Sequence, residues 1–179
     1  VHLPDRTLVY DSTASEVNKS PVWCVLTSSL LDFSQYLARH IVRVVDSWIV
    51  GHPTTSAIGI WTPDDSQHWA TDVRWEFSTP MLRAGGKGAI MHSLELVALT
   101  GTAPSTVTAP AVYTSYSVDG RTWSQSKAIA SGARGDRTKR LVWWQQGMWR
   151  NWRIQKFNGD SSSRLTAMLI EATIEPLAN

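Results

Sequence analysis

Apolar residues fall in short runs along this chain, each bounded by proline, glycine or small polar residues. That spacing predicts strands, because runs this short cannot bury one face of a helix. The first set covers 1–10, 22–26, 41–45, 48–50 and 58–61. Asp46-Ser47 and Gly51-His52-Pro53 separate its last three members as turns. Within 32–45, Phe33, Tyr36, Leu37, Ile41, Val44 and Val45 also fit one helix face. The β-branched run Ile41-Val42-Arg43-Val44-Val45 favours a strand for its second half.

A polar stretch over 62–70, holding Pro63, Asp64 and Asp65, predicts a boundary, with one domain at 1–65 and another at 71–179. Strands then follow at 72–82, 90–100, 110–118, 121–130, 139–146, 149–157 and 164–175. In the last, Met168, Ile170, Ala172 and Ile174 alternate with Leu169, Glu171, Thr173 and Glu175, the pattern of a half-solvated sheet. Asp119-Gly120 suits a type I′ hairpin between 110–118 and 121–130. Gln145-Gln146-Gly147 is expected to turn a second hairpin. Strands at this spacing, without a strong helix, predict an all-β chain whose second part is a jelly-roll-like β-sandwich.

Composition adds three constraints. The 179 residues carry a net charge of +2 with 18% charged residues, too weak a balance to argue for nucleic acid and low for a fully solvated surface. The single cysteine, Cys24, excludes an intrachain disulfide and is expected to be buried between Trp23 and Val25. No apolar run reaches the roughly 18 residues of a membrane helix. The chain opens at Val1, without a signal-peptide pattern, and is expected to be a fragment or a processed product.

Candidate chemistry is sparse. The five histidines lack metal-ligand spacing, so no metal or cofactor is expected. Gly85-Gly86-Lys87-Gly88 lacks phosphate-loop spacing, and no carboxylate pair stands out for glycoside hydrolysis. Arg134-Gly135-Asp136 reads as loop chemistry rather than an adhesion motif. Ser117-Val118-Asp119-Gly120-Arg121-Thr122-Trp123 invites comparison with the structural aspartate box of sialidases, which has one more residue between aspartate and glycine. Ten tryptophans are the outlier, and basic residues interleave with them late in the chain. Arg140, Trp144, Trp149, Arg150 and Arg153 are the candidate contact residues. Such a mixture serves single-stranded nucleic acid, sugars or protein interfaces, and strand alternation makes half of it core, so core plus interface is favoured.

Several segments resemble one family. His2-Leu3-Pro4, Leu8-Val9-Tyr10-Asp11 and Pro21-Val22-Trp23-Cys24-Val25-Leu26 resemble the C-terminal part of the packaged-DNA stabilisation proteins, the tail accessory or hub proteins of short-tailed phages like those of Salmonella. Phe77-Ser78-Thr79-Pro80, Ser117-Val118-Asp119-Gly120 and Lys139-Arg140-Leu141-Val142-Trp143 are similar to later strands of that family. The resemblance implies that the first domain ends a β-propeller. It implies a structural virion protein, made in the host cytoplasm and without catalytic residues. Such a protein forms a hexameric ring below the portal and its adaptor, and holds the tail needle and tailspikes. DNA contact is implied only inside the assembled channel. The competing class is a carbohydrate-binding β-sandwich, which requires Trp144, Trp149 and Trp152 to form an exposed row.

Overall fold

The computed structural model describes residues 1–62, 65–104, 107 and 110–177. They form two compact units, Val1–Arg74 and one from Trp75 onward.

In the first unit, β1 (Thr7–Asp11) pairs antiparallel with β2 (Val22–Leu26). The expected strand at 1–10 is shorter than the sequence suggested. Pro4 has no amide to donate, and a turn closes Leu3 N–H onto Arg6 O at 2.8 Å. Between the two strands stands a helix the apolar pattern missed, α1 (Ser12–Asn18). Its signal is polar: Asp11 accepts from the Ala14 amide at 2.9 Å as N-cap, and Ser15 Oγ accepts from Val22 N–H at 2.8 Å. Cys24 is exposed, contrary to expectation, because this two-stranded sheet leaves Trp23, Cys24 and Val25 uncovered.

A three-stranded antiparallel sheet follows, with β4 (Ser47–Gly51) between β3 (Arg39–Val44) and β5 (Ile58–Trp61). Residues 32–38 are irregular, and from them Tyr36 and Ala38 reach a small core with Val50.

The second unit is a β-sandwich. One sheet runs β10 (Leu141–Trp149), β7 (Ala89–Leu99), β12 (Thr166–Pro176). The other runs β6 (Arg74–Ser78), β11 (Ile154–Asp160), β8 (Ala111–Ser117), β9 (Lys127–Ala130). Both sheets feed one core: Met91, Leu94 and Leu96 from β7, Leu141, Trp143 and Trp149 from β10, Val112 from β8 and Phe157 from β11. Phe157 stacks on Phe77 at 5.3 Å between centroids and lies 5.8 Å from Trp143. Gly159 is required by packing: a Cβ there would stand 2.6 Å from Trp75 Cζ2.

Three expectations are corrected. First, Asp119-Gly120 is not a type I′ pair, since only Gly120 has positive φ, at 73°. The aspartate instead organises the loop through its carboxylate. Oδ1 accepts from the Arg121 and Thr122 amides at 2.8 Å each, and Oδ2 from Thr122 Oγ1 at 2.6 Å. These bonds hold the carboxyl far below its ordinary range. Strand β9 accordingly begins only at Lys127. Second, Gln145-Gln146-Gly147 is a bulge inside one continuous strand, not a hairpin turn. Gln145 (φ 54°) and Gly147 (φ 81°) absorb one extra residue, and pairing with β7 resumes. The chain then crosses sheets, so β10 and β11 are not partners. Third, β12 keeps the expected alternation from Ile170 to Ile174, in register with Leu96, Leu94 and Met91, but neither face is buried, since all its residues are exposed.

Candidate assembly surfaces

The bulge in β10 divides the basic-aromatic constellation into an interior set and an exterior set. It turns Gln146 inward, and the Gln146 carbonyl accepts from Arg153 Nη1 at 2.6 Å. Arg153 is fully buried, and its guanidinium lies 3.9 Å from the Tyr116 ring centroid and 5.7 Å from that of Trp149. Its Nε donates to Gln155 Oε1 at 3.0 Å. Gln155 Nε2 in turn donates to Thr114 Oγ1 at 2.5 Å, which donates to the Lys156 carbonyl at 2.9 Å. Burial pushes the guanidinium down to about 10, which leaves it charged at neutral pH. Trp149, 3% exposed, belongs to the same interior.

The exterior set is Arg140, Trp144 and Arg150. Trp144 is 69% exposed and stands in register with Ser93 on β7 and, across it, Thr173 on β12. Arg140 grips both carboxylate oxygens of Glu95, one through Nε at 2.9 Å, and holds that carboxyl below its usual range. Trp152 is half-buried beside Gly120, so Trp144, Trp149 and Trp152 form no exposed row.

Arg134-Gly135-Asp136 lies in an exposed loop pinned at its backbone. Gly135 N–H donates to Gly101 O at 2.9 Å, and Thr100 Oγ1 donates to Asp136 O at 3.1 Å. Arg134, Arg137 and Lys139 all project from this loop into solvent. Residues 75–179 carry twelve Arg and Lys against seven Asp and Glu, whereas 1–74 carry five against eight. The small net charge thus conceals a basic sandwich and an acidic first unit.

The first unit holds the feature that sequence reasoning missed. Val42, Ile49 and Ile60 stand in direct cross-strand register on one face of β3-β4-β5. Val44 and Ile58 flank them by strand alternation. Ile60 is 67% exposed and Ile58 76%. The alternating β-branched residues were visible in the sequence, but what covers a strand face is not a local property. On the other face lies a cleft of about 260 Å³, lined by Tyr36, Val50, Trp61, His68 and Trp69 among others. His68 and Thr71 exchange two 2.9 Å backbone hydrogen bonds around Trp69 and Ala70, both at positive φ. His68 Nδ1 lies 2.9 Å from Ser28 Oγ, and burial lowers the imidazole against the opposing pull of Asp65. His52 is instead a half-buried turn acceptor, 3.2 Å from the Thr54 and Thr55 amides and edge-on to Trp69.

Among the described residues, no group of three or more His, Cys, Asp or Glu is placed to hold a metal. No described helix is long and apolar enough to cross a membrane.

A family model described as bacteriophage P22 Gp10, beta-sandwich, matches residues 74–175. A second, described as bacteriophage P22 Gp10, beta-propeller, matches residues 1–66. The chain belongs to this phage tail-protein family. Among curated proteins, none matches the chain. Membership of the P22 Gp10 family fixes the reading of the two units: the strands of 1–66 are part of a β-propeller, and the sheets that follow are its β-sandwich. The family is one of phage structural proteins.

Proposed function

We propose that this chain is the C-terminal part of a tail hub, a virion protein that works by shape and contact. In this reading it forms a ring, hexameric in the complete protein. The ring sits below the portal adaptor, keeps packaged DNA in the head, and carries the tail needle and tailspikes. It is made in the host cytoplasm and ends in the virion. DNA meets it only inside the assembled channel.

The observation that carries the proposal is the uncovered Val42–Ile49–Ile60 ladder. Contiguous apolar surface of this kind suits packing against a further sheet or chain, and membership of a phage structural family supports reading that packing as part of a tail assembly. Among the described residues, twelve strands, one seven-residue α-helix and one short 3-10 helix make a framework dominated by β-sheet, which suits that task.

The test uses DNA-filled heads carrying portal and adaptor but lacking the hub. Adding the complete protein is expected to stop DNA leakage, measured by nuclease sensitivity. Undiminished leakage, with the protein bound or unbound, contradicts the plugging role.

A further inference from the structure

Strand β12 ends its sheet: β7 pairs with one edge, and among the described residues nothing pairs with the other. Natural sheets blunt such an edge with lysines, prolines or a covering segment. Over its eleven residues β12 has no lysine or arginine, and its one proline, Pro176, is the last residue. Ile170, Ala172 and Ile174 register with Leu96, Leu94 and Met91, the inward face of β7. Yet Ile170 is 37% exposed and Ile174 40%. The inner face of the sheet therefore runs past its cover at this edge.

The opposite face of β12 is acidic. Glu175 Oε2 lies 2.8 Å from His92 Nε2, and the neighbouring Glu95 is held by Arg140. Glu171, in register with Glu95, makes no direct salt bridge among the described residues, although it lies within electrostatic reach of Arg140, whose guanidinium is held by Glu95.

We infer that β12 is a docking edge for an extended strand of a partner polypeptide that alternates β-branched apolar residues with lysine or arginine. Added to the free edge, such a strand forms main-chain hydrogen bonds along β12. It lays its apolar residues beside Ile170 and Ile174 and sets a cation beside Glu171. A second copy of β12 fits less well. Full antiparallel overlap of two copies about Glu171 sets that carboxylate against itself, and directly opposed like charges are destabilising. The inference goes beyond the hub reading, since it rests on the sheet edge and not on the family.

The test uses the whole chain and two labelled nine-residue peptides, one alternating valine and lysine and one alternating valine and glutamate. Fluorescence anisotropy measures binding, and hydrogen exchange locates it. The lysine peptide is expected to bind, to slow exchange in 166–176, and to bind at least about tenfold more tightly than the glutamate peptide. Glu171→Lys is expected to reverse that preference. Ile174→Lys, at a 40% exposed position, is expected to abolish binding by placing a charge on the apolar face. Equal binding of both peptides, binding unchanged in Ile174→Lys, or protection elsewhere overturns the proposal. Dimerisation of the chain alone with protected β12 amides overturns it in favour of a second copy.

Discussion

Arg153 donates a 2.6 Å hydrogen bond to the carbonyl of Gln146, an acceptor that faces the interior because β10 bulges there. A charged side chain thus sits inside the sandwich, supported by one bulge, one glutamine and two aromatic rings. Leu82 fixes its backbone through reciprocal bonds of 2.8 and 3.0 Å. Removing the guanidinium relieves its desolvation but strands Gln146 O and Gln155 Oε1, each at a cost of about 1–3 kcal/mol. Arg153→Met is therefore expected to lower the urea-unfolding free energy by ~2–3 kcal/mol. A methionine variant as stable as the parent contradicts this role.

Trp149 and Trp144, both on β10, separate cleanly. Trp149→Ala empties a core position and is expected to lose about 3–5 kcal/mol in urea unfolding. Trp144→Ala changes an exposed position and is expected to stay within about 0.5 kcal/mol of the parent. Any defect it shows should appear in assembly with partners, not in stability.

Gly159→Ala places a methyl group 2.6 Å from both Trp75 Cζ2 and Ser163 Oγ. Trp75 is tethered through Nε1 to Asp160 O at 3.0 Å, so the ring has little room to move. Overpacking of this kind costs about 1–3 kcal/mol, read as a lower melting temperature of the sandwich. An unchanged melting temperature shows that the ring yields freely.

His68 makes the first unit sensitive to acid. Burial lowers its folded pKa below the ordinary value of 6.5, so the unfolded chain takes up the proton first as pH falls. The contribution is present above pH 6.5 and is lost as pH drops through the folded value. Urea unfolding near pH 5 is expected to show a weaker first unit than at about pH 7.5, with a smaller difference in His68→Gln. Identical pH dependence in the variant removes His68 as the cause.

The order of strands was readable wherever β-branched runs met turn chemistry, as in Ile41–Val45 and Trp48–Val50 before Gly51-His52-Pro53. The β-sandwich was readable for the same reason. Features set by side-chain polarity were less visible. Helix α1 has Val17 as its only long apolar residue, so its evidence is the Asp11 cap. Gln145-Gln146-Gly147 carries the same residues whether it turns or bulges, and the choice depends on pairing with β7. Alternation separated Trp152 and Ile154 from Arg153 and Gln155. It did not reveal that the arginine side faces inward, because the Gln146 acceptor comes from another sheet. Exposure of Cys24 and of the Val42–Ile49–Ile60 ladder depends on what stands beside the sheet, which no local pattern records.

Native mass spectrometry of the complete protein tests the central claim most directly. The hub reading expects one discrete ring, a hexamer, alone or on addition of the portal adaptor. A monomer at every concentration, with and without the adaptor, contradicts it.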